Sequence, residues 1–262
     1  MLEYQKDQRI YLQSEQFTNT HLVSHGFTGR TGGVSSGKIT GLNLGFRVAD
    51  NPRSVQENYR LISQDLELNL TSTVLAKQTH TDNIRIVTKE DAGKGISKES
   101  DIEDTDGLMT NLSEIPLVVF SADCVPLLFL DPVKKVIAAV HAGWRGTMKG
   151  IGGKAVSMMQ EHFGSNPGDI LAAIGPSIGP CCFLFDQKDA QVFPNAYLTP
   201  QGEGKLLVDI WAMNRDQLLQ QGILPEHIDI SNICTVCHSD RYYSYRTHRE
   251  HTGRQGAVIM LR

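Results

Sequence analysis

S-A-D-C-V-P-L-L-F-L-D-P-V-K-K-V-I-A-A-V-H-A-G-W-R-G-T, residues 121–147, reads as a β-hairpin. Val125–Leu130 and Lys135–Val140 are apolar runs of strand length. Asp131-Pro132-Val133-Lys134 between them is turn chemistry: proline presets a turn φ and aspartate accepts a local hydrogen bond. If Leu130 pairs with Lys135, opposite residues sum to 265. Cys124 and His141 also sum to 265 and so face each other at the open end. Opposite Cβ atoms lie roughly 4.5–5.5 Å apart, close enough for a thiolate and an imidazole to share a metal ion. A strand pair of this kind rules out a purely parallel sheet, although strands and helices alternate along the rest of the chain. The expected fold class is α/β (α+β): one domain over residues 1–262, a sandwich of mixed sheets with helices outside.

Outward from the hairpin, Asn51-Pro52 reads as an N-cap and first helical residue. Val55, Tyr59, Ile62 and Leu66 keep helical spacing up to about Leu66. Thr73–Ala76, Ile84–Val87, Gly107–Thr110, Leu117–Phe120, Ile170–Ile174, Ile228–Ile230, Tyr242–Tyr245 and Ala257–Leu261 have strand character. Further helices are expected over Gly146 to about Phe163, Asp186–Val192 and Asp209–Gln221, the last stopped by Gly222 with Leu218 and Leu219 buried. Gly26–Gly45 reads as a long loop or two short strands around turns, and Lys89–Asp104 as a polar surface excursion.

Composition sets limits. The 262 residues are 40% hydrophobic, enough for a large core, and the net charge is −4. No block of like charge suggests a nucleic-acid or membrane surface, and no run approaches a membrane span. A cytoplasmic protein is expected. In a reducing compartment, five cysteines point to metal binding or catalysis before disulfides.

Cys124 and His141 need a third ligand to hold a metal. His80, in the turn K-Q-T-H-T-D-N, is the first candidate and His162 its competitor. Three N/S ligands leave a tetrahedral position open, the arrangement of catalytic zinc. Asp106 and Asp123 are candidate acceptors for a ligand imidazole. A-G-W-R-G-T-M-K-G then enters a helix. Its glycines, the helix start and the Arg145 fork suit a phosphate beside the metal. The same Cys124–His141 geometry would also serve a nucleophilic cysteine with a histidine base.

Three lookalikes are set aside. Cys234-x-x-Cys237-His238 matches haem attachment, but no export signal precedes it and the CxxC lacks a second pair of obvious spacing; these residues are taken as a strand end near the site. Gly175-Pro176-Ser177-Ile178-Gly179 matches a nucleophile elbow but runs into Gly179-Pro180 instead of a helix. Arg246–Arg254 is basic, with His248 and His251, and reads as a solvated loop within reach of an anionic substrate.

Taken together, K-Q-T-H (77–80), D-G-L-M-T (106–110), S-A-D-C-V-P-L (121–127), V-H-A-G-W-R-G (140–146), I-G-P-S-I-G-P (174–180), Y-S-Y-R (243–246) and T-G-R (252–254) resemble the YfiH/YlmD laccase-domain family over nearly the whole chain. The L-N-L-G segment at 42–45 followed by D-N-P matches as well. The resemblance implies a zinc site of His80, Cys124 and His141, and so selects His80 over His162. It implies a sandwich distantly like the cytotoxic-necrotizing-factor deamidases. The implied activity is phosphorolysis of adenosine, inosine, guanosine and methylthioadenosine, with phosphate as co-substrate and adenosine deamination beside it. Asn43, in the Gly-rich segment, is a candidate substrate contact. The chain departs from the family at Arg47, where many relatives have histidine, and in the Cys and His content of 234–238. An older family name is multicopper laccase. Nine histidines with no H-x-H pair do not supply a type 1 copper and a trinuclear cluster together; a single Cu2+ at the zinc ligands is compatible with N/S donors. The partners expected are a purine nucleoside and phosphate, with neither nucleic acid nor membrane, and a homodimer is an admissible assembly.

Overall fold

A computed structural model describes all 262 residues. Two six-stranded mixed sheets pack face to face, and a small third sheet flanks them. The first sheet runs in the order β1 (Leu2–Lys6), β2 (Arg9–Gln13), β3 (Val23–Thr28), β15 (Gln255–Leu261), β7 (Leu117–Ser121), β4 (Val74–Leu75). The second runs β14 (Ile228–Ile230), β10 (Leu171–Ile174), β8 (Val125–Asp131), β9 (Val136–Ala142), β6 (Gly107–Thr110), β5 (Ile84–Ile86). In the third, β13 (Lys205–Val208) lies between β11 (Leu184–Asp186) and β12 (Leu198–Gly202). The helices are α1 (Glu15–Thr20), α2 (Pro52–Asp65), α3 (Trp144–Met148), α4 (Ile151–Phe163), α5 (Gln187–Ala190), α6 (Ile210–Gln220) and α7 (Tyr245–His248).

The hairpin occupies the middle of the second sheet, and its strands are buried on both faces. Leu128, Leu130, Ile137 and Ala139 pack between the two sheets with Leu117, Val119 and Ile259. Leu127, Phe129, Ala138 and Val140 point the other way, against Ile151, Ala155 and Met159 of α4 and Leu218 of α6. That is why both runs are almost continuously apolar instead of alternating. On the far side of the first sheet, α2 lays Val55, Tyr59 and Ile62 against Tyr11, Val118 and Val258. Its start follows expectation: the Asn51 side chain accepts from the Arg53 amide, with Pro52 at the first position. The layers therefore run helix, sheet, sheet, helix.

Four expectations are corrected. The hairpin pairs Asp131 with Val136 and Pro126 with His141, so opposite residues sum to 267. Asp131 stays in the ladder while its side chain accepts from the amides of Val133 and Lys134, and Lys135 takes the left-handed conformation. The offset is two in the sum, so every side chain keeps its face. Second, the helix expected from Gly146 is two helices, α3 and α4, broken where Gly150 adopts φ +74°. Third, Tyr242–Tyr245 is not a strand: Tyr242 and Tyr243 are buried and α7 begins at Tyr245. Finally, Leu219 is only half-buried, whereas Leu218 is buried.

Strand directions set the position of the site. The start of β8, the end of β9, the starts of β6 and β5, and the ends of β10 and β14 all fall on one edge of the second sheet. Cys124, His141, Asp106, the His80 turn and the loops after β10 and β14 are therefore neighbours.

Candidate active site

His80, Cys124 and His141 converge at that edge, with one donor atom from each lying within 4.8 Å of the others. His80 Nε2 is 3.8 Å from Cys124 Sγ, and the two imidazoles meet edge to face with centroids 5.0 Å apart. Gly143 lies beneath them. A Cβ there would come within 2.8 Å of His80 Cδ2, 3.3 Å of Cys124 Sγ and 3.5 Å of His141 Cε1. The residue in the first turn after β9 must therefore be glycine for the three donors to close over it. Continuing the hairpin register sets Cys124 opposite Gly143, so the thiol reaches His141 diagonally.

Asp106 organises both histidines. Its buried carboxylate accepts from the amides of Thr79, His80 and Thr81, from Thr81 Oγ1, and from His141 Nδ1 at 2.7 Å. Burial pushes the Asp106 carboxyl up, but His141 and the Thr81 donors outweigh it and hold the group at about 2. The ionised carboxylate keeps the proton of His141 on Nδ1, so the Nε2 lone pair faces Cys124 and His80. The three-amide grip also holds His80 at φ +65°, a left-handed conformation that a residue with a Cβ adopts only when its surroundings impose it. Gln78 ties the same turn to the first sheet: its amide exchanges two hydrogen bonds with Phe120. Burial raises the Cys124 thiol, yet the neighbouring His141 ring overrides this and the thiol lies below its ordinary value; His141 is raised in return.

Asp123, also left-handed at φ +86°, does not meet an imidazole. It accepts from Thr235 Oγ1 (2.7 Å) and from the Arg246 amide (2.6 Å), while its carbonyl accepts from the Ile178 amide. Two loops and the first turn of α7 thus grip the residue preceding Cys124. Arg145 is exposed and lies over the Trp144 ring, 4.3 Å from its centroid. The helix it was expected to open is only five residues long. Asn43 is fully buried and both its amide atoms are engaged, with Asp50, Gly45 and the Arg254 amide. One of these bonds holds the backbone of Arg254. His162 is exposed on α4, outside the group. Ser177 is buried and accepts from Trp211 Nε1, so it is no nucleophile.

Two features escaped the sequence reading. Arg254 is half-buried. Its guanidinium donates only to the Thr252 and Gly253 carbonyls and has no carboxylate partner. Burial lowers it, while the charges of Cys124 and Asp123 act the other way, and the next residue, Gln255, pairs with Ser121 on the strand that leads to Cys124. The sequence signals were the basic character of 246–254 and the T-G-R motif at 252–254. The second feature is the missing partner pair for Cys234 and Cys237: Cys181 and Cys182 come to within 4.8 Å of them. Their separation in sequence concealed this.

The donor chemistry fits zinc: one thiolate prepared by its neighbours, one imidazole with a fixed tautomer, and one exposed imidazole on a rigid turn. Two clefts, about 220 Å³ beside His25 and about 700 Å³ around Arg30 and His248, contain none of the three residues.

The model of a family described as multi-copper polyphenol oxidoreductase laccase matches residues 24–262. Purine nucleoside phosphorylase YlmD of Bacillus subtilis is 37% identical over 251 residues, covering 93% of this chain and 90% of the relative. Human purine nucleoside phosphorylase LACC1 is 35% identical over 84% of this chain and 51% of its own length. The crystal structure of YlmD from Geobacillus stearothermophilus superposes with a TM-score of 0.90 at 33% identity, covering 99% of this chain and 98% of the other.

Proposed function

This chain belongs to the family described as multi-copper polyphenol oxidoreductase laccase, and from the names of its relatives and the chemistry of its site we propose that it is a purine nucleoside phosphorylase acting at His80, Cys124 and His141. The observation that carries the reading is a three-donor metal group beside Arg254, a half-buried guanidinium without a carboxylate partner. Such a cation suits phosphate in a position where an acidic side chain would repel it. Zinc bound by the three residues would supply Lewis-acid charge to the oxygens of phosphate or ribose. Cys124, His80 and His141 hold the metal in this reading and transfer no proton. Asp106 keeps His141 in the tautomer that leaves Nε2 free to ligate. Arg254 holds phosphate so that one oxygen reaches C1′ of the ribose. The new C–O bond forms as the C1′–N9 bond breaks, and the bonding pair leaves with the purine. Arg145, four residues after His141 and exposed, is proposed as a second phosphate contact.

Adenosine, inosine, guanosine and methylthioadenosine are the proposed substrates, with hydrolytic deamination of adenosine as a side reaction of the same centre. Copper fits the same N/S donors, but three of them do not build the several copper centres of a laccase. No helix is long and apolar enough to cross a membrane, and five unpaired cysteines suit the cytoplasm.

The test is purified protein with adenosine or inosine, with and without phosphate. Ribose 1-phosphate appearing only with phosphate, and lost in Cys124→Ala, is the expected result. Unchanged nucleoside with the metal-replete protein refutes it. Arg254→Met should raise KM for phosphate more than KM for nucleoside.

One observation favours a second reading. Cys124, His141 and Asp106 also line up as nucleophile, base and orienting carboxylate, with the thiol already lowered. A Cys–His hydrolase or deamidase would use that thiol free. Zinc that the active protein holds and that Cys124→Ala loses excludes it.

A further inference from the structure

Four of the five cysteines gather at one place outside the site described above. Cys181 and Cys182 follow β10, and Cys234 and Cys237 follow β14. The two strands are parallel neighbours, and their loops stay zipped beyond the sheet. Ser177 pairs with Cys234, the Ser177 amide donates to the Ile233 carbonyl, and the Thr235 amide donates to the Ser177 carbonyl. All four sulfurs lie within 4.8 Å of one another, with Cys237 at 3.6 Å from Cys181 and 3.5 Å from Cys182. None forms a disulfide.

We propose that Cys181, Cys182, Cys234 and Cys237 form a second metal centre, a mononuclear tetrathiolate site for zinc. A tetrahedron with Zn–S bonds of about 2.3 Å has edges of about 3.8 Å, close to the separations here. A polynuclear iron–sulfur cluster sets its thiolates on different irons and spreads them further apart. The backbone is arranged for a thiolate. The Gly179 amide donates to Cys234 Sγ at 3.3 Å, a contact that suits a sulfur carrying negative charge. Four sulfurs gathered at this spacing without a disulfide suit one shared cation. The two halves of the site, an adjacent pair and a C-x-x-C, come from two loops, so the ion staples them.

The staple has a mechanical consequence. The Cys234–Cys237 loop holds Asp123 through Thr235 Oγ1, and the 175–182 loop holds it through the Ile178 amide. Asp123 immediately precedes Cys124. A metal tie between the loops therefore fixes the position from which the Cys124 thiol is presented.

The test is metal analysis of the full-length protein, purified reduced and without air, as wild type, Cys124→Ala and the double variant Cys181→Ser/Cys237→Ser. Wild type should hold about two zinc per chain, and each variant about one. Cobalt(II) added to metal-free Cys124→Ala should give the intense charge-transfer and tetrahedral ligand-field bands of a four-thiolate centre. Chelator should lower the melting temperature of Cys124→Ala and leave that of the triple variant Cys124→Ala/Cys181→Ser/Cys237→Ser where it is. Cys124→Ala that binds neither zinc nor cobalt overturns the proposal, as does a disulfide among the four thiols in reduced protein. These readouts are independent of nucleoside chemistry, so the site stands or falls separately from the phosphorylase reading.

Discussion

Asp106 shows how much one side chain can decide. It accepts from five donors, three of them the consecutive amides of the turn that presents His80 and one the ring of His141. Asp106→Asn keeps the volume but turns an N–H2 group toward amides that need an acceptor, or toward His141 Nδ1. Loss of such an outer partner typically weakens metal binding roughly 10- to 100-fold; a zinc competition titration should find that loss with the fold retained. Gly143 is a sharper case. Its φ of −61° and ψ of 164° suit alanine, so Gly143→Ala adds no backbone strain. The added methyl nevertheless lies 2.8 Å from His80 Cδ2. The variant should melt close to wild type yet lose zinc from the triad and with it phosphate-dependent turnover. Full zinc content in folded Gly143→Ala would contradict the geometry proposed for the centre.

The hairpin and the helices that follow it set the element scale. A continuous helix from Gly146 to Phe163 was a natural reading, because Ile151, Ala155 and Met159 keep helical spacing. That spacing reports the buried face of α4 and cannot detect the break before it. The break comes from Gly150, whose φ of +74° turns α3 away so that Thr147 can meet Asn214 and Gln217 of α6. A Cβ on Gly150 meets nothing within 4 Å, so Gly150→Ala costs only the left-handed backbone, about 1 kcal/mol. Thermal unfolding should fall by about 2–4 °C; an unchanged melting temperature would mean that the break is not held in place. The register error in the hairpin teaches the converse. Asp131 and Lys135 share the turn differently from the reading, but a shift of two in the sum leaves the faces intact, and so the convergence of Cys124 and His141 survives it.

Across the whole molecule, stacking two sheets buries groups that the sequence marks as polar. His25 is one: it lies on β3 under α1, 2% exposed, with its ring 5.1 Å from that of Phe17 and Nε2 accepting from the Ser14 amide at 2.9 Å. That bond requires a lone pair, and burial pulls the ring down from 6.5 to about 4. The unfolded chain therefore takes up this proton first as pH falls. Stability from His25 is fully present above pH 6.5 and is lost on acidification through the window down to about 4, by roughly 3 kcal/mol in total. Urea midpoints measured from pH 7.5 to 4.5 should fall more steeply for wild type than for His25→Gln. Parallel profiles would show that His25 does not titrate in this range.

The amino-acid sequence by itself determined the hairpin, the layered mixed α/β class, the start of α2, and the placing of Cys124 and His141 on one face at the open end of the hairpin, because these follow from periodicity, turn residues and caps, which act over a few residues. His80 was one of two candidates on spacing, and only the family resemblance separated it from His162. What the tertiary structure decided are the contacts between chain segments far apart in sequence. The Asn43 amide is engaged by Asp50, Gly45 and Arg254. Arg254 stands beside Cys124, 130 residues away in the chain. Cys181 and Cys182 reach Cys234 and Cys237 because β10 and β14 are parallel neighbours whose ends open on the same edge. Strand order is fixed by the burial of two whole sheets at once, a balance to which no local stretch of sequence has access. The site at Ser121–Thr147 is therefore half local, in the hairpin that carries two donors, and half global, in the sheet edge that brings it His80, Asp106 and Arg254.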